Sequence, residues 1–229
     1  MNKRYVVGAI VAAVVVVGVL VGLSLAGGDD GGGDVAISGA AEVMQQFEGL
    51  PQDGNVAGDP DAPVEIIEYG DLACPACKLA AETTVPEVID TLVRDGQAKL
   101  VFRPIAFIHP LTSERGALGA EAAAMQDAMW PFVELIYRNQ GDERDDWLTA
   151  EVMLDAVEAL GLDADKWQQD FDGAAVGEAF VATETQAQQD QVDVTPTFVI
   201  RGPNGERTVT GAVELSELQA AVDEVGPRT

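Results

Sequence analysis

The chain has 229 residues, of which 47% are apolar, so it can bury a substantial core and is not disordered throughout. Its 39 acidic and 13 basic residues give a net charge of −26 at pH 7, which repels polyanions and argues against nucleic acid as a partner. Two cysteines exclude a disulfide-scaffolded mini-domain, and a single histidine excludes a multi-histidine metal site.

The N-terminus predicts a membrane anchor. Two basic residues lie within residues 1–4, and the apolar run from Val6 to Ala26 is long enough to cross a bilayer core of about 30 Å. Because acidic residues follow this run, the positive-inside rule places residues 1–4 in the cytoplasm and the rest of the chain outside the membrane. We therefore predict a single transmembrane helix over residues 5–26, with a cleaved signal peptide as the alternative.

The acidic charge lies beyond the predicted anchor. Such a surface stays hydrated and soluble when salt screens its self-repulsion. A salt-rich environment is therefore our preferred explanation of the charge, and an acidic secreted protein of ordinary surroundings is the alternative. Neither explanation decides the function.

A tether and a mixed α/β region follow the anchor. Residues 27–54 begin with the glycine- and aspartate-rich run GGDDGGGD and predict a flexible tether, in which residues 40–50 could form a short helix that ends at Pro51. Residues 63–69 predict a buried strand, residues 74–94 a helix broken around Pro86, and residues 99–107 a second strand. This order indicates a strand–helix–strand unit with a partly parallel sheet.

The middle of the chain is helical, and the end returns to strands. Helices are expected over residues 113–139 (one or two, divided at Pro131), 150–160, 164–171 and 176–189. A hairpin over residues 197–210 and a closing helix over 215–225 end the chain. The order indicates an α/β domain over residues 55–108 and 174–229, interrupted by a helical insertion over residues 109–173.

The sequence Cys74-Pro75-Ala76-Cys77 carries the sharpest chemical signal. It falls between a strand and a helix, so that Cys74 is expected to be the N-cap and Pro75 the first helical residue. Unpaired backbone N–H groups and the helix dipole at that place favour a thiolate and lower the pKa of Cys74. Cys77, one turn later, is placed to close a disulfide with Cys74 or to resolve a mixed disulfide.

Two other uses of the cysteine pair are weaker. Zinc needs four ligands, whereas the chain offers two cysteines and His109, so a zinc site would need unrelated carboxylates. An inert disulfide across a two-residue loop would constrain the unfolded chain little. We therefore predict a redox-active pair, with no separate cofactor and no bound metal.

Two further features fit a redox site. Glu68 lies in an apolar strand before Cys74, where burial would raise its pKa and let it exchange a proton with Cys77; an ordinary surface glutamate is the alternative. Pro196 precedes another apolar strand, where a cis peptide bond would expose the Thr195 backbone to an extended substrate; a trans proline is the alternative. Pro75 and Ala76, between the cysteines, are also expected to contact the substrate.

These motifs, in this order, resemble the DsbA-like branch of the thioredoxin superfamily. The resemblance covers roughly residues 55–229 and rests on the helical block and on two motifs, Glu68-Tyr69-Gly70-Asp71-x-x-Cys74-Pro75-x-Cys77-Lys78 and Thr195-Pro196-Thr197-Phe198. It implies an α/β, thioredoxin-like fold with an inserted helical domain, preceded here by one transmembrane helix. It also implies that Cys74 attacks, that Cys77 is its buried partner, that Glu68 is the buried acid and that Pro196 is the cis-proline.

The resemblance implies a thiol–disulfide oxidoreductase anchored in the cell membrane, with its catalytic domain extracytoplasmic. We predict disulfide donation to cysteines of exported polypeptides, and the family implies re-oxidation by a quinone-linked membrane partner. Pro75-Ala76 departs from the Pro-His of the best-known oxidants, which lowers the expected oxidising strength. The alternatives are a reductase or isomerase of the same fold, and a tethered peptide-binding or chaperone module without redox turnover.

Overall fold

The computed structural model describes residues 36–228. The predicted transmembrane helix over 5–26, its cytoplasmic flank over 1–4 and residues 27–35 of the predicted tether lie outside the described residues. Between residues 36 and 228, no helix combines the length and apolar character needed to cross a membrane. The anchor therefore stays a prediction.

Six strands form one mixed sheet within the described residues: β1 (Gln52–Asp53), β2 (Val56–Ala57), β3 (Val64–Gly70), β4 (Ala98–Pro104), β5 (Thr197–Gly202) and β6 (Gly205–Thr210). Their order across the sheet is β1-β2-β4-β3-β5-β6. β3 and β4 are parallel, and the other neighbours are antiparallel. The predicted strand–helix–strand unit, partly parallel sheet and C-terminal hairpin are therefore confirmed.

Eight α-helices accompany this sheet in the described part of the chain: α1 (Ala40–Gln46), α2 (Pro75–Val88), α3 (Pro110–Ala124), α4 (Met129–Arg138), α5 (Ala150–Ala159), α6 (Ala164–Phe171), α7 (Ala174–Gln189) and α8 (Leu215–Val225). α2 connects the parallel strands β3 and β4. The helices α3 to α6 follow between β4 and α7, so the structure contains the helical insertion that the sequence predicted.

The predicted tether over residues 27–54 is too long. Residues 40–54 belong to the folded domain, because α1 buries Val43 and the adjacent Phe47 to 1% and 3% exposure. These two residues are four apart and share one face of the helix, which packs against the core. β1 and β2 then pair at the edge of the sheet, where the sequence predicted only a loop. The glycine-rich start of this segment indicated flexibility, but an apolar helix face follows it and packs against the core.

The two proline breaks also fall elsewhere than predicted. α2 continues through Pro86, and the backbone changes only at Ile89–Val93, where one π-helical turn follows. Proline keeps a helical φ, and packing of the buried residues around it compensates for one lost hydrogen bond. The long predicted helix divides at residues 125–128, and Pro131 lies in the first turn of α4, where an N–H has no helical partner to lose.

Alternation along β3 decides which side chains reach the main core. Ile66 belongs to the large cluster that includes α2 and α8, whereas Ile67 and Tyr69 belong to a second cluster on the other face. The end of α7 covers that second face through Ala187. Glu68 lies on the Ile66 face, so its carboxyl enters the core beneath α2.

Candidate active site

Two unpaired thiols stand at the N-terminal end of α2. Cys74 is the N-cap residue in an extended conformation, and Pro75 is the first helical residue. Cys74 is 4% exposed and Cys77 is fully buried, and the two are free cysteines in this structure. Cys74 is therefore the sulfur that a second protein can reach first.

The surroundings separate the pKa values of the two cysteines. A hydrogen bond with the Cys77 thiol has the largest effect on the pKa of Cys74, and it lowers that pKa. Hydrogen bonds from Thr195 and from two backbone N–H groups lower it further. Together they outweigh burial, and the pKa of Cys74 falls to about 6. Burial, followed by the hydrogen bond with Cys74, raises the pKa of Cys77 well above its ordinary value. At neutral pH the pair is therefore a Cys74 thiolate beside a Cys77 thiol.

Asp71 fixes the loop that presents Cys74. Its carboxylate is fully buried and accepts a hydrogen bond from the Ala73 N–H at 2.8 Å. The other carboxylate oxygen accepts from the N–H groups of Phe107 and Ile108 at 2.7 and 2.8 Å. One carboxylate thus joins the cysteine loop to the loop that precedes α3.

Tyr137, in the last turn of α4, and Gln140, just after this helix, also hydrogen-bond to the cysteine loop. Gln140 donates from Nε2 to the carbonyl oxygens of Leu72 at 2.7 Å and of Cys74 at 3.2 Å. The hydroxyl of Tyr137 donates to the Asp71 carbonyl at 3.2 Å. Sequence reasoning missed both residues, because they lie 66 and 68 positions from the residues that they bond and no motif marks them.

Glu68 lies in the core beneath the cysteines. Its side chain is 1% exposed, and its strand neighbours in register are Phe102 on β4 and Phe198 on β5. Among the described residues, Glu68 Oε1 has no hydrogen-bond partner. Burial, with a smaller contribution from the charge of Cys74, raises the pKa of Glu68 to about 8. The carboxyl is therefore protonated at neutral pH and close enough to the cysteines to interact with both.

The loop before β5 closes the site over Cys74. The Thr195–Pro196 peptide bond is cis, and both residues are buried. The carbonyl oxygen of Thr195 lies 3.5 Å from the Cys74 sulfur, across 121 residues of chain, and accepts a hydrogen bond from Cys74 when that residue is a thiol. The structure therefore brings together the cysteines, Glu68 and the Thr195–Pro196 loop.

Exposed apolar side chains lie on the loops beside the cysteines. Pro75 is exposed and Ala76 is half-buried. Phe107 and Ile108, whose backbones bond to Asp71, are 45% and 40% exposed, and Val194, next to Thr195, is 43% exposed. The reactive sulfur is thus bordered by side chains that can pack against an apolar segment of another polypeptide.

His109 has a structural place in this region. It is the N-cap of α3, and its Nδ1 accepts a hydrogen bond from the Thr112 N–H at 3.2 Å. Across residues 36–228, no three histidine, cysteine or acidic side chains converge in a way that could hold a metal ion. The chemistry offered by the site is that of its two thiols and the buried carboxyl.

The family model described as Thioredoxin matches residues 52–224. The chain is similar to the probable disulfide bond formation protein D of Bacillus cereus, with 30% identity over 149 residues, 63% of this chain and 68% of the relative.

Among solved structures, the fold matches oxidised BdbD from Bacillus subtilis with a TM-score of 0.67 and 21% identity, over 76% of this chain and 96% of that one. A thioredoxin-like oxidoreductase from Silicibacter pomeroyi matches with a TM-score of 0.62 and 27% identity, over 79% and 95%.

Proposed function

Because the chain belongs to the thioredoxin family and is a DsbA-like thiol–disulfide oxidoreductase, we propose that it donates the Cys74–Cys77 disulfide to cysteines of exported polypeptides. The observation that carries the direction of transfer is the stabilised thiolate of Cys74. At pH 7, a pKa of about 6 leaves about ten thiolates for each thiol, which stabilises the reduced form by about 1.4 kcal/mol. For a two-electron couple, this makes the pair about 30 mV more oxidising than one with an ordinary Cys74.

The proposed transfer has two displacement steps. A substrate thiolate attacks the Cys74 sulfur, the Cys74–Cys77 bond breaks, and Cys77 leaves as a thiolate that takes a proton from Glu68. The second substrate thiolate then attacks the substrate sulfur of the mixed disulfide, and Cys74 leaves as a stable thiolate. The substrate loses two electrons and gains a disulfide, while the protein keeps those electrons as its reduced cysteine pair.

The substrate is proposed to bind across the Thr195–Pro196 loop. The Thr195 backbone adjoins the reactive sulfur and can pair with an extended chain, which positions a substrate cysteine beside Cys74. Pro75, Ala76 and the apolar side chains next to the loop would contact the residues on either side. This surface suits polypeptides that have not yet buried their apolar segments.

The proposed location is the extracytoplasmic side of the cell membrane, with residues 5–26 as the anchor. Disulfides form and persist outside the reducing cytosol, so a disulfide donor needs such a location. The reduced pair must also return its two electrons, and a quinone-linked membrane protein is the proposed acceptor. An anchored domain would meet such a partner in the plane of the membrane.

The reduction potential of the cysteine pair tests the proposal. The protein is equilibrated in glutathione buffers at several salt concentrations, alkylated and weighed intact, with Cys74→Ser as the control that cannot form the disulfide. We expect a value closer to about −120 mV than to about −270 mV. A reduction potential of about −270 mV would favour a reductase. A pair that never cycles at any salt concentration would favour the binding module.

A further inference from the structure

A second buried carboxyl lies near Glu68, on a different element. Glu134 of α4 is 6% exposed, and it shares a helix face with Trp130 and Tyr137, which are four residues before and three after it. Both aromatic rings pack against Phe102, with centroids 5.5 and 6.4 Å away. Phe102 is the strand partner of Glu68, so this face of α4 sets Glu134 over the same part of the sheet.

A cavity connects Glu134 with the surface. Its volume is about 220 Å³, and it is lined by Gln46, Ala81, Glu82, Pro86, Glu134 and Arg138. A water molecule occupies about 30 Å³ in the liquid, so several fit. Glu82, half exposed at 50%, lies at the mouth, and Ala81 lies one helical turn after Cys77. The Gln46 side chain lies close enough to Glu134 to lower the pKa of that carboxyl, but among the described residues its buried Nε2 makes no hydrogen bond of good geometry, which leaves a place for water.

The chemistry of Cys77 requires a proton route that the substrate does not block. When Cys77 leaves as a thiolate, Glu68 gives up its proton and must regain one. Glu68 is 1% exposed, and during the mixed disulfide the substrate covers the Cys74 face. The cavity between α1, α2 and α4 opens further along α2, beyond the cysteines.

We propose that Glu134 relays protons between Glu68 and water in this cavity, so that Cys77 is protonated from the side of the molecule away from the substrate. The inference rests on the proposed proton exchange between Glu68 and Cys77, and it holds for transfer in either direction. In the forward step, Glu68 passes its proton to Cys77, Glu134 passes its proton through an intervening water to Glu68, and a proton from the water in the cavity restores Glu134. Each carboxyl ends as it began, and one proton has moved from solvent to Cys77.

The surroundings of the two carboxyls favour their protonated forms. Burial, and then the charge of Glu68, raise the pKa of Glu134 well above its ordinary range, and Glu82 of α2 adds to this. Arg138, on the same helix as Glu134, acts in the opposite direction. Glu68, with a pKa of about 8, holds its proton at pH 7.

The test follows the rate at which excess dithiothreitol reduces the oxidised protein, in rapid-mixing experiments read by tryptophan fluorescence. Rates are taken from about pH 5 to about pH 9, as ratios to the wild type so that ionisation of the reagent cancels. Glu134→Gln keeps the shape of a protonated carboxyl but cannot relay, and we expect reduction several-fold slower at pH 7. Glu134→Asp should recover part of the rate. Glu87→Gln, on an exposed part of α2 outside the cavity lining, is the matched control and should behave like the wild type.

Two further readouts separate a relay from a structural role. Formate, a small acid that can enter the cavity, should restore the rate of Glu134→Gln, and the reduction potential of the variant should equal that of the wild type. A Glu134→Gln rate equal to the wild type at every pH would overturn the relay. So would a slow rate that formate does not restore. The assay does not depend on the direction of electron flow in the cell. A low reduction potential would therefore refute the donor role, whereas these rates would still decide whether Glu134 relays protons.

Discussion

Glu68 couples the stability of the fold to pH. Its carboxyl is protonated in the folded protein up to about pH 8, whereas in the unfolded chain it ionises near pH 4.5. The folded state therefore binds more protons than the unfolded state between these values, and this contribution to stability falls as pH rises. Below pH 4.5 the burial of Glu68 does not make stability depend on pH, because the carboxyl is protonated in both states. Above pH 8 the destabilisation is constant, because the carboxyl is ionised in both states.

We expect Glu68→Gln to remove this pH dependence. In the oxidised protein, where Cys74 carries no charge, burial still raises the pKa of Glu68, so the variant should gain stability relative to the wild type as pH rises above 4.5. The upper limit of this gain is about 1.4 kcal/mol for each pH unit. Urea unfolding of both proteins at several pH values measures it. A difference that does not change with pH would mean that Glu68 is ionised in the fold.

The sequence predicted the positions of the cysteines, Glu68 and Pro196 better than it predicted the residues that hydrogen-bond to the cysteine loop. Cys74, Cys77 and Pro196 belong to local motifs, and the placement of Glu68 followed from its position in an apolar strand. Gln140 and Tyr137 contact the cysteine loop only because α4 packs on β4. A contact between a helical insertion and a strand carries no local signal, so these two could not be found without the fold.

At the scale of elements, the crossing of α4 over β3 and β4 depends on a glycine. A side chain at Gly70 would place its Cβ 2.7 Å from the ring of Phe102 and 2.7 Å from the hydroxyl oxygen of Tyr137. The two rings pack edge to face at this crossing, and they cannot move apart without disturbing the core. The close approach of α4 to the end of β3 therefore needs the absence of a side chain here.

We expect Gly70→Ala to destabilise the protein by about 1–3 kcal/mol, the usual cost of overpacking a core. Gly177→Ala is the matched control, because Gly177 lies in α7 and a Cβ added there would meet no atom within 4 Å. Alanine there should be neutral or should stabilise by up to about 1 kcal/mol through its helix propensity. Urea unfolding compares the two. Equal effects would mean that the crossing can relax around a methyl group.

The strand–helix–strand unit and the hairpin were predictable because apolar runs and turn residues define them locally. A short helix over residues 40–50 was also expected, but its place in the folded domain was not, because α1 follows a glycine-rich acidic run and only Val43 and Phe47 are buried there. β1 and β2 have two residues each, too short for any alternation to show. Such short elements are stabilised by the residues that they pack against, and the local sequence does not show which residues these are.

For the whole molecule, the dominant electrostatic quantity is the net charge of −26. At low ionic strength the acidic groups repel one another over distances comparable to the domain, which favours the expanded unfolded chain. Partly buried ion pairs such as Asp190 with Arg103 and Arg201 are screened much less than the surface.

We therefore expect the free energy of unfolding to rise as sodium chloride increases from about 0.01 M to about 1 M, where the Debye length shrinks from about 30 Å to about 3 Å. Urea unfolding at fixed pH and several salt concentrations measures this. Stability that falls with salt would mean that exposed ion pairs contribute more than the repulsion between acids, and it would remove the physical basis for a salt-rich native environment.

The hydrogen bond between Cys74 and Thr195 joins residues 121 positions apart, so the site is completed only when the last part of the chain has folded. A polypeptide that stops before β5 still has both cysteines, but it has neither the carbonyl beside Cys74 nor the strand beside Glu68. During synthesis, both cysteines are therefore present for a time without the full surroundings of the finished site, and they acquire these surroundings when the C-terminal strands join the sheet.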